Sequence, residues 1–368
     1  MLASAARLAP ESDAIAINYG TALAALARHG EAETIFRTVV TRDPTDDQAR
    51  FNLATMLLGR GALAEGWAAF EARLGLGQRA SPPQRQWDGS EAAQRDAGEA
   101  DWVLIRAEQG LGDTIQFLRW IGPAAVRARL VLDLPPTLRG LVERAPWFDP
   151  TRMRLLAPRA EADPAGEVTA QASLLSLPHL LRQPHPPAIR LRADPLAVQS
   201  WETRLPARSP SGLRVGLTWA GSAAYRFDRQ RSMRLEQMAP LATIPGLSFV
   251  SLQQGAAAAQ ALTPPEGMAL FMPELPAEDL AETAALIASL DLVICVDTMI
   301  AHLAASLGVP VWLLDRFGGD WRWREGFAFG RDWYPGLRRF AQAAPGAWGP
   351  VMEEVAGALA ALAQNASR

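Results

Sequence analysis

The sequence predicts an α/β fold in which two parallel-sheet domains face each other across a cleft, behind a short helical repeat. Three observations predict it. In the first 75 or so residues, positions 34 apart match one another; from residue 101 short apolar runs alternate with helical segments; and at Leu213, after a proline-rich break, that alternation starts again. Such alternation is the pattern of parallel strands with helices on both faces, so two cycles in series give two Rossmann-like units.

Composition sets the outer limits. A chain of 368 residues with 49% hydrophobic content suits two or three domains with real cores. A formal charge of −3 supplies no basic field for nucleic acid or for an anionic membrane surface. There is no lysine, so every side-chain cation is an arginine. The single Cys295 sits in the apolar run "LVICV" and excludes both an internal disulfide framework and a multi-cysteine zinc site. His29, His179, His185 and His302 form no metal-binding spacing, and a metal centre is not expected. The apolar part of the N-terminus is too short for a signal peptide, and no apolar run is long enough to span a bilayer. The expectation is a soluble, cytoplasmic protein.

Residues 1–75 read as helical. Tyr19, Gly20, Ala32 and Phe36 are matched by Leu53, Ala54, Gly66 and Phe70, each 34 residues on, with Pro10 and Pro44 in the same relation. That is the tetratricopeptide (TPR) period, with small residues where paired helices cross. Two repeats are fewer than the roughly three such an array needs, so the segment should lean on the domain behind it. Residues 76–100 are a breaker-rich linker. In residues 101–205 the strand candidates are 102–105, 128–134, 153–157 and 172–177, ending in a proline-rich connection. In residues 206–346 they are 213–221, 247–255, 268–272, 291–296 and 309–314, separated by helical patterns at 235–243, 277–289 and 298–307. Residues 347–368 form an amphipathic helix expected to pack back across the domains.

Open α/β sheets bind ligands beyond the carboxyl ends of their strands, and the chemistry should be sought there. After the first strand comes "EQGLGDTIQF", which lacks the third glycine of a dinucleotide fingerprint and has no ribose-binding acid at the right distance. It places Asp113 at the start of a helix, where the residue is either a simple cap or a poised carboxylate. The run "DLVICVDTMIAHLAASLGVPVW" ends a buried strand at Asp297 and Thr298 and starts a helix whose free N–H groups and hydroxyl suit a diphosphate, with His302 one turn on. The loop after Thr218 carries Arg226, Arg229 and Arg231, which read either as a solvated charge run or as a phosphate clamp.

Taken together with "SLQQG" and "DWRW…WYP", these motifs resemble, in order and spacing over nearly the whole chain, bacterial TPR-containing glycosyltransferases related to the family 9 heptosyltransferases. More distantly they resemble the O-linked N-acetylglucosaminyltransferases. The resemblance implies the two-domain GT-B fold, acceptor on the first domain and nucleotide-sugar on the second. It implies that Asp113 is the general base, Arg231 stabilises the departing diphosphate, and Thr218, Asp297, Thr298 and His302 meet the donor, with His302 and Arg231 catalytic. Trp219, Gly221, Arg229 and Gln253 belong to the same donor side, and Gln109, Gly110 and Gly112 to the acceptor lip. The transfer is expected to be metal-independent and inverting, with no cofactor besides the nucleotide-sugar, onto a glycan or protein hydroxyl that the repeats help present. Two departures bear on the donor: Met299 stands where heptosyltransferases carry a small residue, and Gln254 where near relatives carry lysine. The competing reading is a catalytically degenerate scaffold built on a transferase remnant. A dehydrogenase or epimerase would need the complete glycine fingerprint, which is absent.

Overall fold

The computed structural model describes residues 1–77, 85–91, 102–156, 168–208, 212–225, 227–276, 279–324 and 333–366. Much of the 76–100 linker therefore lies outside the described residues. The chain begins with helices α1 Leu2–Leu8, α2 Asp13–Ala25, α3 His29–Arg42, α4 Asp47–Arg60, α5 Leu63–Phe70 and α6 Arg73–Leu76. The Asp46 carboxylate accepts the Ala49 N–H at 2.8 Å and so caps α4, and Gly61, at φ 94°, ends it. The small residues picked out by the 34-residue spacing stand where helices cross. A Cβ on Gly20 would lie 2.6 Å from Phe36 Cε1, and one on Gly66 would lie 2.7 Å from Leu58 Cδ2.

This helical segment has a small core of its own, Leu23, Phe36, Leu53, Met56 and Leu57, and shares a larger one. Ala54, Leu58, Leu63, Trp67 and Phe70 belong to the same buried cluster as Val103, Ile105, Phe117 and Trp120, and as Trp321 and Trp323 from much later in the chain. Trp67 is the centre of this join: its ring lies 5.7 Å from Phe117, 6.0 Å from Trp120 and 5.7 Å from Trp321.

The first sheet contains β1 Trp102–Arg106, β2 Arg129–Asp133, β3 Met153–Leu155 and β4 Val168–Ser173, all parallel, in the order β3-β2-β1-β4. Its helices are α7 Leu111–Phe117, α8 Ile121–Arg127, α9 Arg139–Glu143 and α10 Leu177–Leu180, with α11 Pro195–Arg204 leading on to the second unit. The fourth strand lies earlier than its apolar run predicts. Residues 174–177 leave the sheet because the Ser173 hydroxyl accepts the Leu175 N–H at 3.2 Å and starts a tight turn, and Pro178 then opens the first turn of α10.

The second sheet contains β5 Leu213–Thr218, β6 Leu247–Ser251, β7 Leu270–Phe271, β8 Leu292–Val296, β9 Val311–Asp315 and β10 Leu337–Ala341, again all parallel, in the order β10-β9-β8-β5-β6-β7. Its helices are α12 Asp228–Arg231, α13 Leu280–Ala288, α14 Met299–Leu307 and α15 Trp348–Ala366. Strand β10 escapes a search for apolar runs because it is an edge strand: Arg339 Nε donates to Asp315 at 2.7 Å, and the Arg338 guanidinium lies 4.3 Å over Phe340. The last helix does not pack back across the domains. Trp348, Val351, Met352, Val355 and Leu359 are built into the core of the second unit, among Val215, Met238, Leu241 and Phe249, because β5, β6 and the turn at Leu235–Thr243 leave that face uncovered. Among the described residues no helix is long and apolar enough to cross a membrane.

The strand orders set the position of the site. In the first sheet the direction of strand addition reverses between β1 and β4, and in the second between β5 and β8. Each reversal splays the connections apart and opens a crevice at the carboxyl ends of the strands.

Candidate active site

A single cleft of about 1370 Å3 connects the two reversal points and extends to the helical segment. From the first unit it is lined by Gln109, Gly110, Gly112 and Asp113. From the second it is lined by Thr218, Gly221, Arg231, Gln253, Asp297, Thr298 and His302. Gln48, Phe51, Asn52 and Thr55 of α4 form part of the wall.

The lip after β1 is held in a strained turn. Gln109 has φ 63°, a left-handed conformation that a residue with a side chain adopts at a cost, and it aims the Gly110 N–H at Asp113 Oδ2 at 3.3 Å. Asp113 is the third residue of α7, and its carboxylate caps that helix through the N–H of the N-cap residue Gly110. Its other oxygen is paired with Arg322, which arrives from the second unit. Glu108, at the same turn, faces away from the cleft and binds Arg73 of α6 at 2.6 Å.

Across the cleft, Thr218 ends β5 level with Cys295 of β8, two residues before Asp297. The Thr218 and Thr298 hydroxyls are both buried and have no hydrogen-bond partner among the described residues. Thr298 precedes α14 in an extended conformation and offers that helix no side-chain cap, so the first N–H groups of α14 are open towards the cleft. Arg231 closes this corner. Its Nη1 donates to the Asp297 carbonyl at 2.8 Å, its Nε to Asp228 at 3.1 Å, and its guanidinium lies 4.4 Å from the Tyr225 ring centre. Gly221 makes room for it, since a Cβ there would stand 2.3 Å from Arg231 Nη2. Burial first, then the neighbouring Asp320 and Asp315 carboxylates, push the Asp297 carboxyl up to about 7.

Four expected site residues do something other than the sequence suggests. Trp219 is fully buried in the core of the second unit, because the backbone after β5 turns its ring inward. The Gln253 amide is consumed by the turn itself, accepting the Trp219 and Ala220 N–H groups at 3.0 and 2.8 Å and donating to the Ala220 and Gln254 carbonyls. It shapes the turn after β5 and has no capacity left for a ligand. Arg229 is exposed on the outer side of α12 and does not line the cleft. His302 is 5% exposed, its Nδ1 lies 3.0 Å from the Tyr334 hydroxyl, and it stacks on Trp323 at 5.3 Å. Burial, with Arg322 and Arg119 nearby, draws its imidazole down to about 3, so it is neutral near pH 7 and adds no positive charge. Arg226 lies outside the described residues, and Met299 and Gln254 both line the cleft.

Sequence reasoning gave no role to Asp320, Arg316, Arg322 or Arg324, all on the connection after β9. The signal was available: they follow a strand end in the second sheet, as Thr218 and Thr298 do. Although burial works against its charge, Asp113 and Asp320 hold Arg322 above its usual range. Arg316 and Arg324 have no carboxylate partner among the described residues, and burial draws Arg324 down to about 10. Among the described residues no three His, Cys, Asp or Glu side chains gather as a metal-binding group.

Residues 251–314 match the model of glycosyltransferase family 9 (heptosyltransferase). The matched residues run from the end of β6 into β9 of the second unit. The segment includes Gln253, Asp297, Thr298 and His302, while Asp113, Thr218, Arg231 and Arg322 lie outside it. Protein FlbA of Caulobacter vibrioides is 30% identical over an alignment of 339 residues that covers 84% of this chain and 54% of that protein; the chain thus spans about half the length of this curated relative. Among solved structures, a family 9 glycosyl transferase from Veillonella parvula aligns at 13% identity and a TM-score of 0.49, over 73% of this chain and 98% of its own. The ADP-heptose heptosyltransferase II of E. coli aligns at 12% and 0.49, over 72% and 99%. An O-GlcNAc transferase of Thermobaculum terrenum aligns at 14% and 0.33, over 99% and 87%.

Proposed function

We propose that this chain is a GT-B glycosyltransferase that moves a sugar from a nucleoside diphosphate donor to a hydroxyl of a glycan or protein, with its TPR-like helices forming part of the acceptor wall. The observation that carries the reading is the corner between β5 and β8. Two buried, unpartnered hydroxyls, Thr218 and Thr298, stand there beside the open N-terminus of α14 and the Arg231 guanidinium. Buried polar groups normally have partners, and this set matches the acceptor oxygens of a diphosphate. Asp113 lies on the facing wall. In the proposed step the acceptor oxygen bonds to the anomeric carbon and its proton passes to the Asp113 carboxylate. The bond from that carbon to the phosphate oxygen breaks, and its electron pair leaves on the nucleoside diphosphate, held by Arg231, the two hydroxyls and the α14 N–H groups. Attack from the face opposite the leaving group inverts the anomeric centre, and none of these roles needs a metal ion.

A thermal shift series with UDP, ADP, GDP and dTDP tests the donor site. At a hundred times its dissociation constant, the matching nucleotide should stabilise the protein by about 2.7 kcal/mol. Absence of a shift with all four would remove the donor reading and leave the scaffold alternative, which the occupation of Asp113 by Arg322 favours.

The raised Asp297 gives a pH signature. Above about 7 its carboxyl becomes charged beside the site proposed for the diphosphate, and below that value it is neutral. Nucleotide affinity should therefore rise from pH 8 to pH 6 more steeply in the wild type than in Asp297→Asn. The nucleotide's own titration is common to both proteins and cancels in the comparison by calorimetry. Equal pH dependence in the two would place the Asp297 carboxyl away from the phosphates.

A further inference from the structure

Arg322 makes a contact that the proposed reaction cannot tolerate throughout its course. Its Nε donates to Gln116 Oε1 at 2.7 Å, its Nη1 to Asp320 Oδ1 at 2.9 Å and its Nη2 to Asp113 Oδ1. Gln116 and Asp113 belong to α7 of the first unit, whereas Arg322 and Asp320 belong to the connection after β9 in the second. One guanidinium therefore crosses the cleft and occupies an oxygen of the carboxylate that must receive the acceptor proton.

The same guanidinium lies near enough to the diphosphate corner for its charge to act on Asp297 and His302. Gly112, next to Asp113, approaches α14 so closely that a Cβ on it would lie 3.5 Å from the Cα of Met299, the first residue of that helix. Asp113, Arg322 and the open end of α14 thus share one region of the cleft. Breaking a buried ion pair is costly when it orphans a charge. Here it orphans neither: Asp113 keeps the Gly110 N–H at 3.3 Å, and Arg322 keeps Asp320 and Gln116.

We infer that Arg322 is a donor-operated latch on Asp113. This deepens the nucleotide-sugar reading and rests on it. In the donor-free cleft the guanidinium holds the carboxylate. A donor diphosphate at the start of α14 draws the guanidinium to its own oxygens, and the released carboxylate turns to the acceptor hydroxyl. The donor accordingly binds first, and Arg322 serves both as a phosphate contact and as the positioning residue of the base.

Competition for one guanidinium has a signature in binding alone. Asp113→Asn removes the competing charge, so calorimetry with whichever of UDP, ADP, GDP or dTDP binds best should show an affinity about fivefold higher than wild type. In an Arg322→Gln background the same substitution should change affinity by less than about twofold. Unchanged or weaker binding by Asp113→Asn overturns the latch. So does an equal gain in both backgrounds, which would reflect only the loss of a negative charge from the cleft. A wild type that binds none of the four nucleotides overturns the donor reading itself. Should circular dichroism show that Arg322→Gln does not fold, Arg322→Lys replaces it. An ammonium cannot hold Gln116 and both carboxylates in the forked arrangement, and it too must abolish most of the gain.

Discussion

Asp113→Asn is expected to lower sugar transfer by about 10²–10⁴-fold, the usual contribution of a positioned general base, while nucleotide binding survives. The amide keeps the size of the side chain and one oxygen, which can accept from Gly110 or from Arg322 but not from both as the carboxylate does. What it loses is the capacity to take a proton. The measurement is nucleoside diphosphate released from the matching sugar donor with acceptor present, alongside binding of the same nucleotide. Equal release by variant and wild type would reduce Asp113 to an interdomain ion pair and would favour a scaffold.

The largest loss of stability is expected from Trp67→Ala, about 3–5 kcal/mol. Trp67 is 1% exposed and its indole N–H donates to the Pro184 carbonyl at 2.9 Å. Its ring meets Phe70 within the helical segment, Phe117 and Trp120 of the first unit, and Trp321 of the second. Removing it opens a void where three parts of the chain meet, and the neighbouring rings are too constrained to collapse into it. Trp67→Phe should lose much less, because most of the ring contacts survive. Unfolding followed by intrinsic fluorescence and circular dichroism would decide. A Trp67→Ala protein as stable as wild type would mean that the helices rest on the cleft without sharing its core.

The sequence revealed those parts of the fold whose signal is local. Apolar runs located β1, β2, β5, β6, β8 and β9, because each is buried on both faces and must be apolar throughout. They missed β10, whose arginines are tolerated at an edge, and misplaced β4, where a serine hydroxyl ends the strand inside an apolar run. Around the cleft, the strand-end rule picked out Asp113, Thr218, Arg231 and Thr298, all of which line it. It could not show that the Trp219 ring turns inward or that Gln253 spends its amide on the turn, since both depend on backbone direction after the strand. Arg322 stood within reach of the same rule, but its pairing did not. Its meaning comes from Asp113, 209 residues earlier, and no spacing rule links two such positions.

Gly112 marks the point where the two facing units come closest to closing the cleft on the α14 side. A single added carbon there would already be 3.1 Å from His302 Cδ2, so at that point the facing walls touch and nothing the size of a sugar ring passes between them. The contact acts as a backstop. In the proposed reaction a hydroxyl-bearing chain would not thread through at this point, and would reach Asp113 from another part of the cleft, whose wall includes Phe51 and Asn52.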